Sequence, residues 1–384
     1  MGTQIIHRNM GQVIQEEEEE EEDRISRLPD ELLSHILTYL DSDAAVQTSV
    51  LSKRWVNLWT TLPCLFFKTN TRFFNSDNYD LGCKFITNFL NSRNQATVLS
   101  TIKVHCIKSN DECISALCLD YALANNVENL RLCGGHFRDA LCLRSDCLKT
   151  LHLAWCGKFQ PIDDWVLPSL NSLYLRHVWF GDHVSGFENL KELTLSGCSE
   201  CWWDFEEDFT INCVNLERLA LGPDISHCDM AVFAPKLLYF EFRSGHVPQF
   251  SAGNGFPCIK EVDIDIELRD DDYGGLPVDN AYRMASAMPN FISMLDAVRE
   301  TPVLKLSSET IQFLRRVPDL SEYQPSPLCN LKFLYLQGLD EIPSRSTDYV
   351  INYLLSNSPH AEILKGNLGR NQKFVRIDHY ITDL

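Results

Sequence analysis

The chain is short of positive charge. Lys and Arg number 34 against 53 Asp and Glu across 384 residues, a formal net charge of −19. Nucleic acid and anionic membrane both call for clustered Lys and Arg, so neither is an expected partner. Net charge instead favours basic or neutral partners. The opening residues MGTQIIHRNMGQVIQ lack a charged-then-apolar leader, no apolar run approaches the length of a membrane span, and no Asn-x-Ser/Thr sequon occurs. Gly2 is followed by Ile6 and His7 where a myristoylation site needs Ser or Thr. Cysteine, by contrast, is plentiful. The count of 15 is odd and the spacing fits no small disulfide scaffold, so the thiols read as small core residues in a reduced compartment, cytosol or nucleus.

Catalytic and metal motifs are also missing. Cys198-Ser199-Glu200-Cys201 is a single C-x-x-C with no second pair at finger or ribbon spacing. Cys156 and Cys198 each fall three residues after an Leu-x-Leu ending, which suits an inward-facing core thiol. Gly253-Asn254-Gly255 has no following Lys-Ser/Thr and reads as a turn. Asp163-Asp164 and Glu206-Glu207-Asp208 read as loop charges, and His152, His177 and His183 belong to no triad or zincin pattern. No catalytic residue, cofactor or metal ligand is assigned. Trp202 and Trp203 read either as solenoid packing or as a partner anchor.

What the chain does contain begins with residues 1–22, a polar tail ending in Glu16–Glu22, too self-repelling to bury a core and expected to be disordered. Residues 23–67 then carry three helical signals. Pro29 suits a first helical turn, with Asp30 and Glu31 at the positive end of the dipole. Leu32, Leu33, Ile36, Leu37 and Leu40 form an apolar stripe. Asp41 and Ser42 can cap a second helix over 43–49. Ser52 can cap a third bearing Trp55, Leu58, Trp59 and Leu62, with Leu51 and Val56 as a hydrophobic staple. Lys53 and Arg54 sit where a cation opposes the dipole, so an interface is the better reason for them. Leading into a connector over 68–100, the region from about Cys64 to Ser100 holds Phe66, Phe67, Phe73 and Phe74, with Phe85, Ile86, Phe89 and Leu90 on a short helix, and predicts a rigid junction.

Leu28-Pro29-Asp30-Glu31-Leu32-Leu33 with Ile36-Leu37, then Thr48-Ser49-Val50-Leu51-Ser52-Lys53-Arg54-Trp55 and Leu58-Trp59, resemble an F-box of the kind found in plant F-box proteins with leucine-rich repeats. The resemblance covers about an eighth of the chain and implies binding to the Skp adaptor of a cullin-RING ubiquitin ligase. It implies Leu28, Pro29, Leu32, Leu33, Ile36, Leu37, Leu40, Val50, Leu51, Arg54, Trp55, Leu58 and Trp59 as adaptor-binding residues.

From 101 onward the chain repeats. An L-x-x-L-x-L pattern ends at residues 132, 153, 175, 195, 221, 242 and 264, at steps of 20–26 residues. A unit that short cannot bury its own apolar face, so neighbours must stack. This resembles an irregular leucine-rich-repeat solenoid over 101–340, with parallel strands on the concave side and the intervening segments on the convex side. Residues 101–107 open it, 112–124 form a first convex helix, 280–298 another, and 302–307 and 331–336 further strands. Asp263, Asp265 and Glu267 should face outward from a strand, and with Asp270–Asp272 could meet a basic partner. Residues 341–384 hold a terminal repeat resembling part of an FBD region.

The expected fold class is therefore α/β, a small three-helix F-box followed by a parallel-strand solenoid. The expected function is a non-catalytic substrate receptor that joins the adaptor, and through it the cullin, to an unidentified target protein. Two alternatives stand beside it: a repeat scaffold whose N-terminal helices only cap the solenoid, and a small-molecule-sensing receptor.

Overall fold

The computed structural model describes residues 25, 27–68, 79–106, 112–135, 137–159, 162–181, 183–198, 208–223, 229–267, 280–317, 320, 326–338 and 347–365. The acidic run Glu16–Glu22, Phe73 and Phe74, Trp202 and Trp203, Glu206 and Glu207, Asp270–Asp272 and the last nineteen residues lie outside these.

Helix α1 (Asp30–Leu37) starts directly after Pro29, which has the extended backbone of a helix entry. Helix α2 (Ser42–Gln47) is capped by Asp41, whose carboxylate accepts the Ala44 N–H at 2.8 Å. The third segment differs from expectation. It is a 3-10 helix over Trp55–Thr61 without a side-chain cap, and the Leu51–Val56 staple does not form, both residues being exposed. A 3-10 turn eclipses i and i+3, so Trp55 and Leu58 align along one edge and pack inward, while Val56 is turned out.

The long sheet begins earlier than the repeats suggest. Strand β1 (Cys64–Lys68), at the end of the helical unit, pairs in parallel with β2 (Thr101–His105), and helix α3 (Tyr79–Ser92) crosses between them. Strand β1 thus already belongs to the long sheet, one strand ahead of the first repeat. Helix α4 (Glu112–Ala124) leads to β3 (Asn129–Cys133). Then follow β4 (Phe137–Leu141), β5 (Thr150–Phe159), β6 (Ser172–Trp179), β7 (His183–Val184), β8 (Glu192–Ser196), β9 (Phe209–Asn212), β10 (Arg218–Leu221), β11 (Met230–Phe233), β12 (Tyr239–Ser244), β13 (Phe250–Ser251) and β14 (Glu261–Ile266). The last part comprises α5 (Asn280–Ala297), β15 (Val303–Leu306), α6 (Ser308–Arg315), β16 (Phe333–Leu336), α7 (Asp348–Leu354) and β17 (Glu362–Lys365).

One parallel sheet runs β1-β2-β3-β5-β6-β8-β10-β12-β14-β15-β16-β17, with β4 beside β5. Each strand turns its leucines inward: Leu151, Leu173, Leu193 and Leu219 occupy one register row and are fully buried. The opposite side differs along the molecule. Helices cross there at both ends, whereas β7, β9, β11 and β13 make a second parallel sheet in the middle. Phe209, Phe240, Phe250 and Phe256 fill the space between the two sheets.

Short side chains just before the first leucine of three successive repeats tie neighbouring coils together. Ser169 donates to the Asp146 carbonyl at 2.6 Å, Asn189 to Pro168 at 2.8 Å, and Asn215 to Glu188 at 2.7 Å. Cys156 and Cys198 are buried as expected and donate their thiols to the Ala154 and Ser196 carbonyls. Gly253 and Gly255 take positive φ, as a turn requires.

Candidate functional site

Two surfaces stand out, one on the N-terminal helices and one on the outward face of the long sheet.

On α1 the apolar residues split into two stripes. Leu33 and Leu37 are fully buried and Leu40 packs against the same core, while Leu32, Ile36 and Tyr39 are 49%, 41% and 78% exposed. The two stripes share the spacing i, i+4, i+7, so each is a continuous line along the helix and its following turn. Ile25, Val50, Leu51 and Val56 are also exposed. Among the described residues, seven of the fifteen exposed large apolar side chains therefore lie between Ile25 and Val56. Such crowding marks a docking surface.

This geometry sorts the thirteen adaptor-binding candidates. Leu32, Ile36, Val50, Leu51 and Pro29 are at the surface, and Leu28, Leu40, Leu58 and Trp59 are half-buried against the core. Leu33, Leu37 and Trp55, by contrast, are buried within the chain and pack its core. Arg54 has an internal partner, its Nε donating to Asp30 Oδ1 at 2.5 Å, which ties the third segment to the start of α1. Ile25, Tyr39 and Val56 are equally exposed and are not among the thirteen. The spacing of Leu32, Ile36 and Tyr39 was the available signal for Tyr39.

The junction with the solenoid is welded. Trp59 lies on Phe89 (centroids 4.8 Å) and Phe67 meets the same ring edge-on at 5.4 Å. Arg93 is buried and donates to the Leu62 carbonyl at 2.8 Å; the Phe66 N–H donates to Ser42 Oγ at 3.1 Å. The helical unit thus caps the first coil with its inner face and offers its outer face to solvent.

The outward side of the long sheet is electrically divided. From β1 to β6 it carries Lys68, Lys103, His105, Arg131, His152 and Arg176. Burial lowers the His152 pKa to about 3, and the Arg131 and Arg176 guanidiniums reinforce this. From β8 onward the acids Glu192, Glu241, Glu261, Asp263 and Asp265 mix with Arg218, Arg243 and Lys305. Most are paired: Glu241 with Arg243 at 2.9 Å, Glu261 with Lys305, and Glu192 with Arg218 at 3.9 Å. Burial raises the Asp263 pKa against the pull of Arg243 and Lys305.

Among the described residues no three His, Cys, Asp or Glu side chains converge as a metal site, and Cys201 of the C-x-x-C lies outside them. Burial pushes the Cys213 thiol up to about 12 and raises Cys156 still further, so both stay protonated and unreactive at neutral pH. No described helix is long and apolar enough to cross a membrane.

A compact helical unit with a spare apolar face, fused to a stack of parallel leucine-rich coils, defines the class: an F-box module carried on a leucine-rich-repeat solenoid. Residues 25–67 match the F-box domain family. An F-box/FBD/LRR-repeat protein of Arabidopsis thaliana is 26% identical over 364 residues, covering 89% of this chain and 78% of that protein. Two others from the same plant are 31% and 38% identical, covering 60% and 43% of this chain and 47% and 36% of their own length. Residues 25–67 are thus an F-box domain, and most of the chain is similar to plant F-box/FBD/LRR-repeat proteins.

Proposed function

We propose that the chain is the substrate receptor of a Skp-cullin-F-box ubiquitin ligase. F-box domains as a class bind Skp-type adaptors. The observation that carries the reading is the outer stripe of α1, where Leu32, Ile36 and Tyr39 stay exposed although Leu33 and Leu37 already complete the internal core. A few such side chains, buried together in a partner's groove, dominate an interface. The solenoid would hold a target protein near the ubiquitin-charged subunit, contributing proximity and leaving bond-making to other subunits. Cytosol or nucleus is the compartment that suits this role and the free thiols.

The capping alternative is partly absorbed by this reading. The same segment supplies the solenoid's edge strand β1 and the exposed stripe, so capping and docking are jobs for opposite faces. The test is capture of the full chain by a purified Skp adaptor. Capture that Leu32→Ala/Ile36→Ala weakens, with a smaller loss of melting temperature per side chain than a fully buried leucine gives, supports the proposal; no capture of the wild-type chain refutes it.

A further inference from the structure

The net charge conceals a local reversal. At the outward positions of β1, β2, β3, β5 and β6 stand Lys68, Lys103, Arg131 and Arg176 with two histidines, and no carboxylate shares those positions. Four strand spacings separate β1 from β6, so the stripe is about 19 Å long. At its centre lies a hollow of about 320 Å³ whose walls include Lys103, Arg131, His152, Thr150 and Tyr174. Glu192 closes one end, but its carboxylate is already held by Ser172 Oγ at 3.1 Å and Tyr174 OH at 2.8 Å, with Arg218 behind it.

The Arg176 Nε and His105 Nδ1 atoms are buried with no hydrogen-bond partner among the described residues. Arg176 Nε carries an N–H, and a buried donor in that condition calls for an acceptor from outside. Beside Arg176 the ladder breaks between Ala154 and Gly157, and Trp155 and His177 both take positive φ. Their rings stack at 3.6 Å, with Trp155 still 48% exposed. Non-glycine residues held in that region cost strain, and such strain collects at binding sites.

We infer that the β1–β6 half of the concave face binds an extended, carboxylate-rich peptide segment, with an acidic side chain seated in the Lys103–Arg131–His152 hollow and an apolar or aromatic neighbour against Trp155. Six extended residues span about 20 Å, the length of the stripe. Assigning that segment to a ubiquitination target rests on the proposed ligase role; the binding itself does not.

The test is fluorescence anisotropy with a labelled eight-residue peptide of alternating Asp and Glu around one Phe, and a Lys-for-acid counterpart. Two forms of the full chain are titrated, one natural and one with each of Glu16–Glu22 replaced by Gln. Only the acidic peptide should bind, about tenfold more weakly in Lys103→Glu and in Arg131→Glu, and within twofold of wild type in Lys260→Glu. Lys103 is exposed, so its variant reads binding even where Arg131→Glu disturbs the fold. Binding seen only in the Gln form also supports the site and makes the chain's own glutamate run its competitor. The inference is overturned if neither form binds, or if Lys260→Glu weakens binding as much as Lys103→Glu. Adaptor capture on the same samples separates the two proposals: peptide binding without capture removes the ligase role and leaves this site standing.

Discussion

The paired stripes of α1 allow a prediction in which neighbouring leucines behave in opposite ways. Full burial of a leucine or isoleucine stabilises by about 1.5–3 kcal/mol. Leu32 and Ile36 retain 49% and 41% of their exposure, so roughly half of that is left for a partner, about 0.7–1.5 kcal/mol each. Leu32→Ala/Ile36→Ala should therefore weaken adaptor binding by about 1.5–3 kcal/mol, on the order of 10- to 150-fold in Kd. The melting temperature should fall less per side chain than for a fully buried leucine, because solvent already covers about half of both side chains.

Leu33→Ala reverses the pattern. Its side chain is fully buried, and truncation there costs about 2–5 kcal/mol of stability through lost transfer energy and a residual cavity. Calorimetric titration with the adaptor and a thermal melt on each variant suffice. The reasoning is refuted if the Leu32/Ile36 variant binds within twofold of wild type, or if binding and melting temperature fall together in both variants.

Other consequences follow from single sites. Gly197 has φ +62° and a Cβ there would lie 2.3 Å from the His177 ring, so Gly197→Ala should unstack Trp155 and shift its fluorescence, while Gly186→Ala, with open space around it, leaves the emission unchanged. Deleting residues 25–62 uncovers Phe67 and Phe89, and deleting 25–68 also strips β1 from β2 and leaves a bare edge, so both should aggregate by light scattering and the longer deletion more. Asp263 has a folded pKa raised chiefly by burial, so its ionisation opposes folding as pH rises through that value. Asp263→Asn should raise the melting temperature at pH 7, and the gain should vanish in acid. His152 titrates near 3 when folded and near 6.5 when unfolded, so the unfolded state takes up a proton first as pH falls. Stability should be lost progressively between those values, and His152→Gln should flatten that part of the melting-temperature profile.

The strand side of the fold was legible because its signal is redundant. Seven L-x-x-L-x-L endings repeat at nearly constant steps, and all seven became parallel strands in one sheet. The opposite side was not, because β7 and β13 hold two residues each and β9 and β11 four, too short for alternation to show. Strand β1 was hidden for another reason: CLFFK carries phenylalanines where the later repeats carry leucines, and it sits inside the F-box match. Within α1 every candidate was apolar, so composition could not separate Leu32 from Leu33; only the packing of Leu37, Trp55 and Leu62 does. The basic stripe was the least legible feature. Lys103, Arg131, His152 and Arg176 are spread over more than seventy residues of an acidic chain and meet only through strand register.

The shared strand β1 gives the module its mechanical sense. A receptor that works by proximity gains only if the distance between its two partners is fixed, since each loose joint dilutes the effective concentration of the target. Here no free linker separates the α1 stripe from the basic stripe. The inner face of the helical unit packs on Trp59, Phe67 and Phe89, β1 is hydrogen-bonded along β2, and Lys68 at the end of β1 is already the first cation of the concave face. Loosening this joint should therefore separate binding from turnover. Phe89→Ala removes the ring on which Trp59 and Phe67 both rest, while Leu32, Ile36, Lys103 and Arg131 keep their own surroundings. Under the proposed ligase role, such a variant retains adaptor and peptide binding, each measured alone, yet transfers ubiquitin to a tethered acidic substrate more slowly. Unchanged transfer at reduced melting temperature would show that the weld serves stability only.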